Sequence, residues 1–222
     1  MSDKDIEQTN GQEPETPTRK LAKQSPVKKT TTFWSLKNDC AMFIESEMEL
    51  DLAILYEFED NVVSYSTQPF TTEYETLSGK KRKYTPDFMI KNKQGQTILI
   101  EVKPFRKTES EEFQIKEALL SRHYHELGYC FWVATEDEIY DANRDINLRH
   151  LYQWRRATEA PVDEVDELRK HFPAGETTLG DLTKKSAELG FEDNLPIMAL
   201  AHSLVSTEEI YYYLTDNTPI TL

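Results

Sequence analysis

The chain has 222 residues, with 40 Asp or Glu against 26 Lys or Arg, so its formal net charge at pH 7 is −14. It has no run of about 18 apolar residues, which a membrane-spanning helix requires, and its first residues do not resemble a signal peptide. We therefore expect a cytoplasmic protein that does not associate with a membrane. The two cysteines, Cys40 and Cys130, are expected to be reduced core residues and not a disulfide.

The charge is distributed unevenly. Residues 157–222 carry four Lys or Arg and thirteen Asp or Glu, a net charge of −9. The N-terminal part instead contains a basic stretch, 19–37, without an acidic residue between its cations: Arg19, Lys20, Lys23, Lys28, Lys29 and Lys37. A strongly acidic protein is poorly attracted to phosphate. If the chain acts on nucleic acid, we expect a partner to recruit it.

Three regions follow from composition. Residues 1–32 are polar, contain three prolines and have almost no apolar residues, so we predict a disordered tail that includes much of the basic stretch. Residues 33–156 form the predicted main domain. Residues 157–222 form a second, acidic unit.

The main domain begins with a predicted helix. Residues 40–58 contain no Gly or Pro, and Met48, Leu52, Leu55 and Tyr56 fall on one stripe at helical spacing. Predicted strands follow at 62–70 and 71–76. The next segment, 77–83, is a predicted turn that ends in four consecutive cations: Lys80, Lys81, Arg82 and Lys83.

A β-hairpin is predicted next. An apolar run starts at Phe88, residues 91–96 form a polar turn with a glycine, and residues 97–102 are rich in β-branched side chains. Asp87 directly precedes the first strand, and Glu101 lies near the end of the second. Lys103 comes two residues after Glu101, so both side chains point to the same face, while Val102 points into the core.

The last elements of the domain complete its predicted fold. A helix is expected from Ser110 to about Leu127, a buried strand at 129–135 and a short basic helix at 147–156. The order of helices and strands predicts an α/β fold, a mixed sheet flanked by helices as in restriction-endonuclease-like proteins. Arg106 and Lys107 follow Lys103 closely, and with Lys81, Arg82 and Lys83 they are candidate contacts for DNA phosphates.

The carboxylates and the lysine indicate metal-assisted phosphodiester hydrolysis. Mg²⁺ prefers oxygen ligands and keeps several waters, so one or two carboxylates with a substrate phosphate can hold it. Asp87 and Glu101 would supply such oxygens, and Lys103 could position water or stabilise developing charge. A third carboxylate is expected from the upstream helix. Glu49 is our choice, with Glu45 and Glu47 as competitors.

Several motifs together resemble the TnsA family, the endonuclease subunits of two-part transposases. The resemblance spans about residues 43–154 and depends on these segments: Glu45–Glu49, Gln68–Pro69, Tyr84–Phe88, Glu101–Lys103 and Asn147–Leu148. It implies that Glu49, Asp87, Glu101 and Lys103 are catalytic, with Glu49, Asp87 and Glu101 binding Mg²⁺, for which Mn²⁺ can substitute.

The resemblance also implies partners. A TnsA-like subunit cuts the 5′ strands at the ends of the element in double-stranded DNA, and a DDE transposase subunit (TnsB-like) cuts and joins the 3′ ends. An ATP-dependent regulator (TnsC-like) links both to target selection. Such an enzyme would be bacterial and associated with the nucleoid when active.

The resemblance further implies that residues 157–222 form a small winged-helix-like domain. Helices are predicted after Pro161, from about Thr178 to Gly190 and from Leu195 to about Leu204, with a wing hairpin from 208–214 and 219–222. Because this unit is acidic, we expect it to dock a protein partner and not DNA.

Two alternatives stay open. On the same fold, the chain could be a free-standing restriction-like or junction-resolving nuclease, although such an enzyme would be expected to have a more basic surface. It could also be a catalytically silent adaptor that bridges the transposase and the regulator. The complete set of Asp, Glu and Lys residues argues against the adaptor.

Overall fold

The computed structural model describes residues 30–222. The predicted tail, 1–32, and the basic stretch, 19–37, lie mostly outside the described residues. The elements are β1 (Thr31–Ser35), β2 (Cys40–Ile44), α1 (Glu47–Phe58), β3 (Val62–Thr67), β4 (Thr72–Glu75), β5 (Lys81–Tyr84), β6 (Phe88–Asn92), β7 (Thr97–Val102), α2 (Phe105–Thr108), α3 (Glu111–Glu126), β8 (Cys130–Ala134), α4 (Glu136–Ile139), α5 (Arg144–Ala157), α6 (Val162–Arg169), β9 (Glu176–Thr178), α7 (Leu179–Glu188), α8 (Leu195–Ala201) and β10 (Pro219–Thr221). No helix in this part of the chain is long and apolar enough to cross a bilayer.

A four-stranded mixed sheet lies at the centre of the fold. Its strand order is β3-β6-β7-β8, with β7 and β8 parallel and the other neighbours antiparallel. On one face, Tyr56 of α1 packs against Phe88 and Ile100. On the other face, Tyr124 of α3 packs against Leu99. The sheet is therefore mixed and flanked by helices, as the order of elements predicted.

The predicted hairpin around the central glycine turn is confirmed as β6 and β7. Its two faces differ because side chains alternate along a strand. Ile100 and Val102 join the α1 side of the core, whereas Leu99 faces α3. Glu101 and Lys103 have the same parity as Leu99, so the hairpin directs both charged side chains towards the α3 side.

The predicted start of the first helix was wrong. Residues 40–44 form β2, which pairs with β1, and the helix begins only at Glu47. Met42 and Ile44 are buried and alternate with exposed neighbours, as in a strand. In the sequence this alternation is hidden, because residues 40–44 are all apolar and a short apolar run fits a strand or a helix. The helix start was visible in the sequence as a Ser46 N-cap with Glu49 three residues later, the pattern of a capping box.

The cysteines are free but exposed, so their predicted place in the core was wrong. Cys40 lies in the two-stranded β1–β2 sheet, and Cys130 begins the edge strand β8. The predicted burial of this strand is only partly correct, since Trp132 is 47% exposed. An edge strand has a neighbour on one side only, which leaves its outer part open to solvent.

Residues after α5 pack around a second apolar cluster. Val165 of α6, Leu182 of α7 and Leu200 of α8 are buried in it, together with Ile220 of β10. The predicted wing hairpin was wrong: residues 208–214 form turns, and β10 pairs with β9, which precedes α7. This arrangement of three helices and a two-stranded sheet does not confirm the winged-helix class.

A buried polar network joins the β1–β2 turn to the end of α1. Lys37 Nζ donates to the carbonyl oxygens of Tyr56 at 2.6 Å, Glu59 at 2.8 Å and Val62 at 2.7 Å. The last carbonyls of a helix lack partners within the helix and attract positive charge. The Lys37 backbone N–H also donates to Glu57 at 2.9 Å. Lys37, in the turn between β1 and β2, therefore caps the C-terminal end of α1.

Replacing Lys37 with Met is expected to reduce the free energy of unfolding by about 1.5–3 kcal/mol, because hydrogen bonds from a charged donor to helix-end carbonyls are lost. Urea unfolding followed by circular dichroism measures this change. Lys93→Met, in the exposed turn between β6 and β7, is the matched control and should change stability by less than about 0.5 kcal/mol. Equal stability of the two variants would show that Lys37 does not act as a cap.

Candidate active site

The two strand carboxylates meet because of the register of the β6–β7 hairpin. Phe88 pairs with Ile100, so Asp87, one residue earlier, lies level with Glu101. The Asp87 carboxylate accepts a hydrogen bond from the backbone N–H of Val102 at 2.7 Å. This bond fixes the carboxylate against the end of β7, next to the side chain of Glu101. The two acids predicted from the hairpin are therefore neighbours.

Lys103 completes the group predicted from this hairpin. Its Nζ lies 2.6 Å from the Glu101 carboxylate, and its backbone N–H donates to the carbonyl of Ala134 in β8 at 3.0 Å. Glu101 is buried, while the Lys103 side chain is about one-third exposed. The lysine therefore covers a buried acid and presents part of its length to solvent, where a substrate phosphate could reach it.

The pKa of Asp87 shows that a second negative charge beside Glu101 is disfavoured. Burial raises this pKa most, the negative charge of Glu101 raises it further, and with the smaller effects of its other neighbours it is about 8. The charge of Glu49 acts in the same direction, while the Val102 hydrogen bond and Lys103 oppose it. The carboxylate of Asp87 is therefore held in an environment that a nearby positive charge would stabilise.

Lys103 remains protonated in this environment. Burial alone would lower its pKa, but the negative charges of Glu101, Asp87 and Glu49 outweigh burial and raise it. A lysine with a raised pKa holds its proton at neutral pH. Lys103 is therefore suited to stabilising negative charge and not to acting as a general base.

The three glutamates near the start of α1 have different surroundings. Glu49 accepts hydrogen bonds from the Glu45 N–H and the Ser46 hydroxyl, both at 2.9 Å, and its charge acts on Asp87. Glu45 accepts from the Gln68 side-chain amide at 2.9 Å. Glu47 forms an exposed ion pair with Arg149 of α5 at 3.2 Å. Among the main influences on the pKa of Asp87 is the charge of Glu49, which raises it.

Glu49→Gln is expected to reduce DNA cleavage about 10–100-fold, because a negative charge beside Asp87 is lost, while its amide oxygen can still accept one of the two hydrogen bonds that Glu49 receives from Glu45 and Ser46. Glu47→Gln, the matched control on the same helical turn, should leave cleavage within about twofold, since an exposed ion pair contributes only about 0–1 kcal/mol to stability. Initial cleavage rates and melting temperatures of both variants measure these effects. Loss of cleavage in Glu47→Gln alone would make Glu47 the helix carboxylate.

Two neighbours of the site were not assigned a role from sequence. The Tyr84 hydroxyl is buried and makes no hydrogen bond of ordinary geometry to the described residues, although it lies within reach of the Glu101 carboxylate. Its pKa is raised, first by burial and then by the charge of Glu101, so the phenol lies close to the carboxylate. Gln68, which has a positive φ of 46°, donates from its backbone to the Asp87 carbonyl at 2.8 Å. Its side chain also holds Glu45, so Gln68 links that residue to Asp87.

Four of the five predicted phosphate contacts line one groove together with Lys103: Arg82, Lys83, Arg106 and Lys107. The fifth, Lys81, is exposed on the same hairpin but does not line the groove. The cations reach the groove from two elements, β5 and α2. Sequence spacing alone did not indicate that these elements lie beside each other.

The donor atoms available suit a hard cation. Asp87 and Glu101 offer carboxylate oxygens from adjacent positions on the hairpin, and Mg²⁺ is commonly bound by one or two carboxylates with water and substrate phosphate. Within residues 30–222, no group of three His, Cys, Asp or Glu side chains lies close enough to form a complete metal cluster. The raised pKa of Asp87 nevertheless indicates a site where a cation would be stabilised. The two strand carboxylates therefore fit a metal, with Glu49 nearby.

Comparison with known proteins agrees with this site. No curated protein matches the chain. Residues 59–136 match the family model described as TnsA-like endonuclease N terminal. The matched segment contains Asp87, Glu101 and Lys103, whereas Glu49 and the C-terminal unit lie outside it. The resemblance seen in the motifs is therefore confirmed for this segment, which is similar to the N-terminal domain of TnsA-like endonucleases.

Proposed function

We propose that the protein is the metal-dependent endonuclease subunit of a transposase and hydrolyses the 5′ strands at transposon ends. The observation that supports this most strongly is the adjacent pair of Asp87 and the buried Glu101, with Lys103 Nζ 2.6 Å from the Glu101 carboxylate. This group lies inside the segment that matches the TnsA-like endonucleases. A nuclease role in transposition follows from the family match, and the strand specificity is our proposal.

Asp87 and Glu101 would hold Mg²⁺, or Mn²⁺ in its place, and Glu49 would add negative charge at the same position. Bound there, the metal would polarise the scissile phosphate and lower the pKa of a water molecule. The Val102 N–H orients the Asp87 carboxylate, and Lys103 orients Glu101. Because Lys103 keeps its proton, its ammonium would stabilise the negative charge that develops on the phosphate.

The acidic composition supports dependence on partners. With a net charge of −14, the chain has little general attraction for DNA. We therefore propose that a TnsB-like DDE transposase positions it at the transposon ends and cuts the 3′ strands. A TnsC-like ATP-dependent regulator would connect both subunits to the target, and the acidic residues 157–222 are our proposed docking unit for a protein partner.

Strand-resolved mapping of cuts on labelled transposon-end DNA in Mg²⁺ tests this function. The wild-type protein is measured alone and with the transposase encoded beside it. We expect 5′-strand cuts only when both proteins are present. Efficient cleavage by the protein alone would favour a free-standing nuclease. If the protein changes target joining but never cuts a 5′ strand, a silent adaptor becomes the better account.

A further inference from the structure

A groove beside the candidate active site combines two kinds of surface. It lies between the β4–β5 hairpin and α3, has a volume of about 930 Å³ and includes Lys103 in its lining. Lys103 also contacts Glu101, so the groove opens directly next to the catalytic group. A substrate strand that passes across the scissile position would therefore meet this groove.

The groove is strongly positive, although the chain as a whole is acidic. Six cations line it, and of the described lining residues only Glu112 is acidic; the cations are Arg82, Lys83, Lys103, Arg106, Lys107 and Lys116. Lys116 was not singled out from sequence, and its Nζ lies 4.5 Å from the centre of the Tyr84 ring. Such a concentration of positive charge fits a polyanion that carries one phosphate per unit of length.

The same groove also has an apolar wall, which a surface for phosphates alone does not require. Phe113 and Leu119 of α3 and Tyr74 of β4 line it. Leu77 at the tip of the hairpin is 76% exposed, and Ile115 is 38% exposed. Aromatic and aliphatic side chains beside cations are the combination with which proteins bind unpaired bases and their phosphates.

We propose that this groove binds a short unpaired stretch of the DNA strand next to the scissile phosphate. In a continuous duplex the base faces are stacked on one another and cannot contact Phe113 or Tyr74. The volume of the groove lies within the roughly 300–1,000 Å³ of pockets that enclose small organic ligands. It therefore suits a few separate nucleotides and not the full width of a duplex. This inference rests on the proposed nuclease function and adds the form of its substrate.

Fluorescence anisotropy with wild-type protein in EDTA tests the inference without cleavage. The probes are a continuous transposon-end duplex and the same duplex with three mismatched base pairs at the scissile position. We expect the mismatched probe to bind at least about tenfold more tightly, because an unpaired base can stack on an aromatic side chain of the groove and a paired base cannot. Equal affinity for both probes, or binding of neither at low salt, would overturn the inference.

Variants then identify the groove as the source of the preference. Phe113→Ala should reduce the preference for the mismatched probe about tenfold, and Leu77→Ser, at a highly exposed position where folding is not at risk, should weaken it as well. Ile146→Ala is the matched control, because Ile146 is 51% exposed on α5 and does not line the groove. An unchanged preference in both groove variants would also overturn the inference.

The cations provide an independent measurement. Lys116→Met should reduce the slope of log affinity against log salt concentration by about 0.7, the value for one phosphate contact to a single strand. Lys93→Met, outside the groove, should leave the slope unchanged.

None of these binding measurements requires catalysis. If partner-dependent 5′ cleavage is observed while both probes bind equally, the nuclease function stands and only the unpaired-strand inference fails.

Discussion

Asp87→Asn is expected to reduce 5′-strand cleavage by about 10²–10³-fold, because the variant loses a negative charge that would hold the metal beside the reacting phosphate. The substitution keeps the shape of the side chain, and its amide oxygen can still accept the Val102 hydrogen bond. The variant should therefore fold normally and lose only the negative charge. Initial rates on transposon-end DNA with the partner transposase measure the loss.

Asp193→Asn is the matched control, since Asp193 is exposed in the turn before α8. It should cleave at the wild-type rate. The 3′ cuts made by the partner should persist in both variants. If the 5′ cuts survive Asp87→Asn, then Asp87 is not a ligand and the proposed site is wrong.

The same substitution should change the pH dependence of stability. The folded-state pKa of Asp87, about 8, lies above the value of about 3.9 in an unfolded chain. The folded state therefore binds a proton more tightly, and its stability without metal falls as the pH rises from about 4 through about 8. Asn cannot ionise. In EDTA at pH 9 we expect Asp87→Asn to be more stable than wild type by about 1–3 kcal/mol, and Mg²⁺ should remove the difference.

Melting temperatures from pH 5 to pH 9, with EDTA and with Mg²⁺, measure this effect. For a chain of this size, 1 kcal/mol corresponds to about 2–4 °C. Parallel curves for wild type and Asp87→Asn in EDTA would show that the Asp87 environment does not disfavour its charge. Equal stabilisation of both proteins by Mg²⁺ would show that the metal binds elsewhere.

Lys103→Met is expected to reduce 5′-strand cleavage about 10²–10³-fold, with a smaller effect on metal binding than Asp87→Asn has. The ammonium that would stabilise the developing phosphate charge is absent from this variant. The carboxylates remain, and Glu101 loses the cation at 2.6 Å, so the attraction of the site for Mg²⁺ should increase. Cleavage rates and the Mg²⁺-induced change in melting temperature separate the two roles.

Lys91→Met, exposed on the neighbouring strand β6, is the matched control and should behave like wild type in both measurements. Lys103→Arg retains the charge and should recover part of the activity if stabilisation of charge is the role. Loss of Mg²⁺-induced stabilisation in Lys103→Met would instead indicate that the lysine mainly positions the metal-binding carboxylates.

Some of the fold was predictable because local patterns agreed with the tertiary structure. The glycine turn and the alternating residues on either side of it predicted the β6–β7 hairpin, and Ser110 and Gly128 bounded α3 closely. The errors occurred where one short pattern fits two structures. Residues 40–44 contain no Gly or Pro to interrupt the predicted helix, but Met42 and Ile44 form a strand because β1, residues 31–35, provides an antiparallel partner.

The prediction of a strand at 208–214 in the C-terminal unit was wrong for a related reason. Residues 208–214 have the composition of a strand, yet Asn147 of α5 donates from its side chain to the carbonyls of Ile210 at 2.6 Å and Tyr212 at 2.7 Å. These backbone groups are therefore bound to a helix and not to a neighbouring strand. A contact between residues 63 positions apart cannot be recognised from a local sequence pattern.

The sequence by itself determined how Asp87, Glu101 and Lys103 are arranged relative to one another. Hairpin spacing places Asp87 level with Glu101, and the two-residue period of a strand puts Lys103 on the same face as Glu101. Only the tertiary structure placed the charge of Glu49 where it acts on Asp87 and paired Glu47 with Arg149 on α5. It also brought α3 and its Lys116 beside the β4–β5 hairpin, which forms the positive groove. Local geometry positions Asp87, Glu101 and Lys103 because they share one hairpin. Packing between elements that are distant in the sequence brings Glu49 near Asp87 and forms the groove.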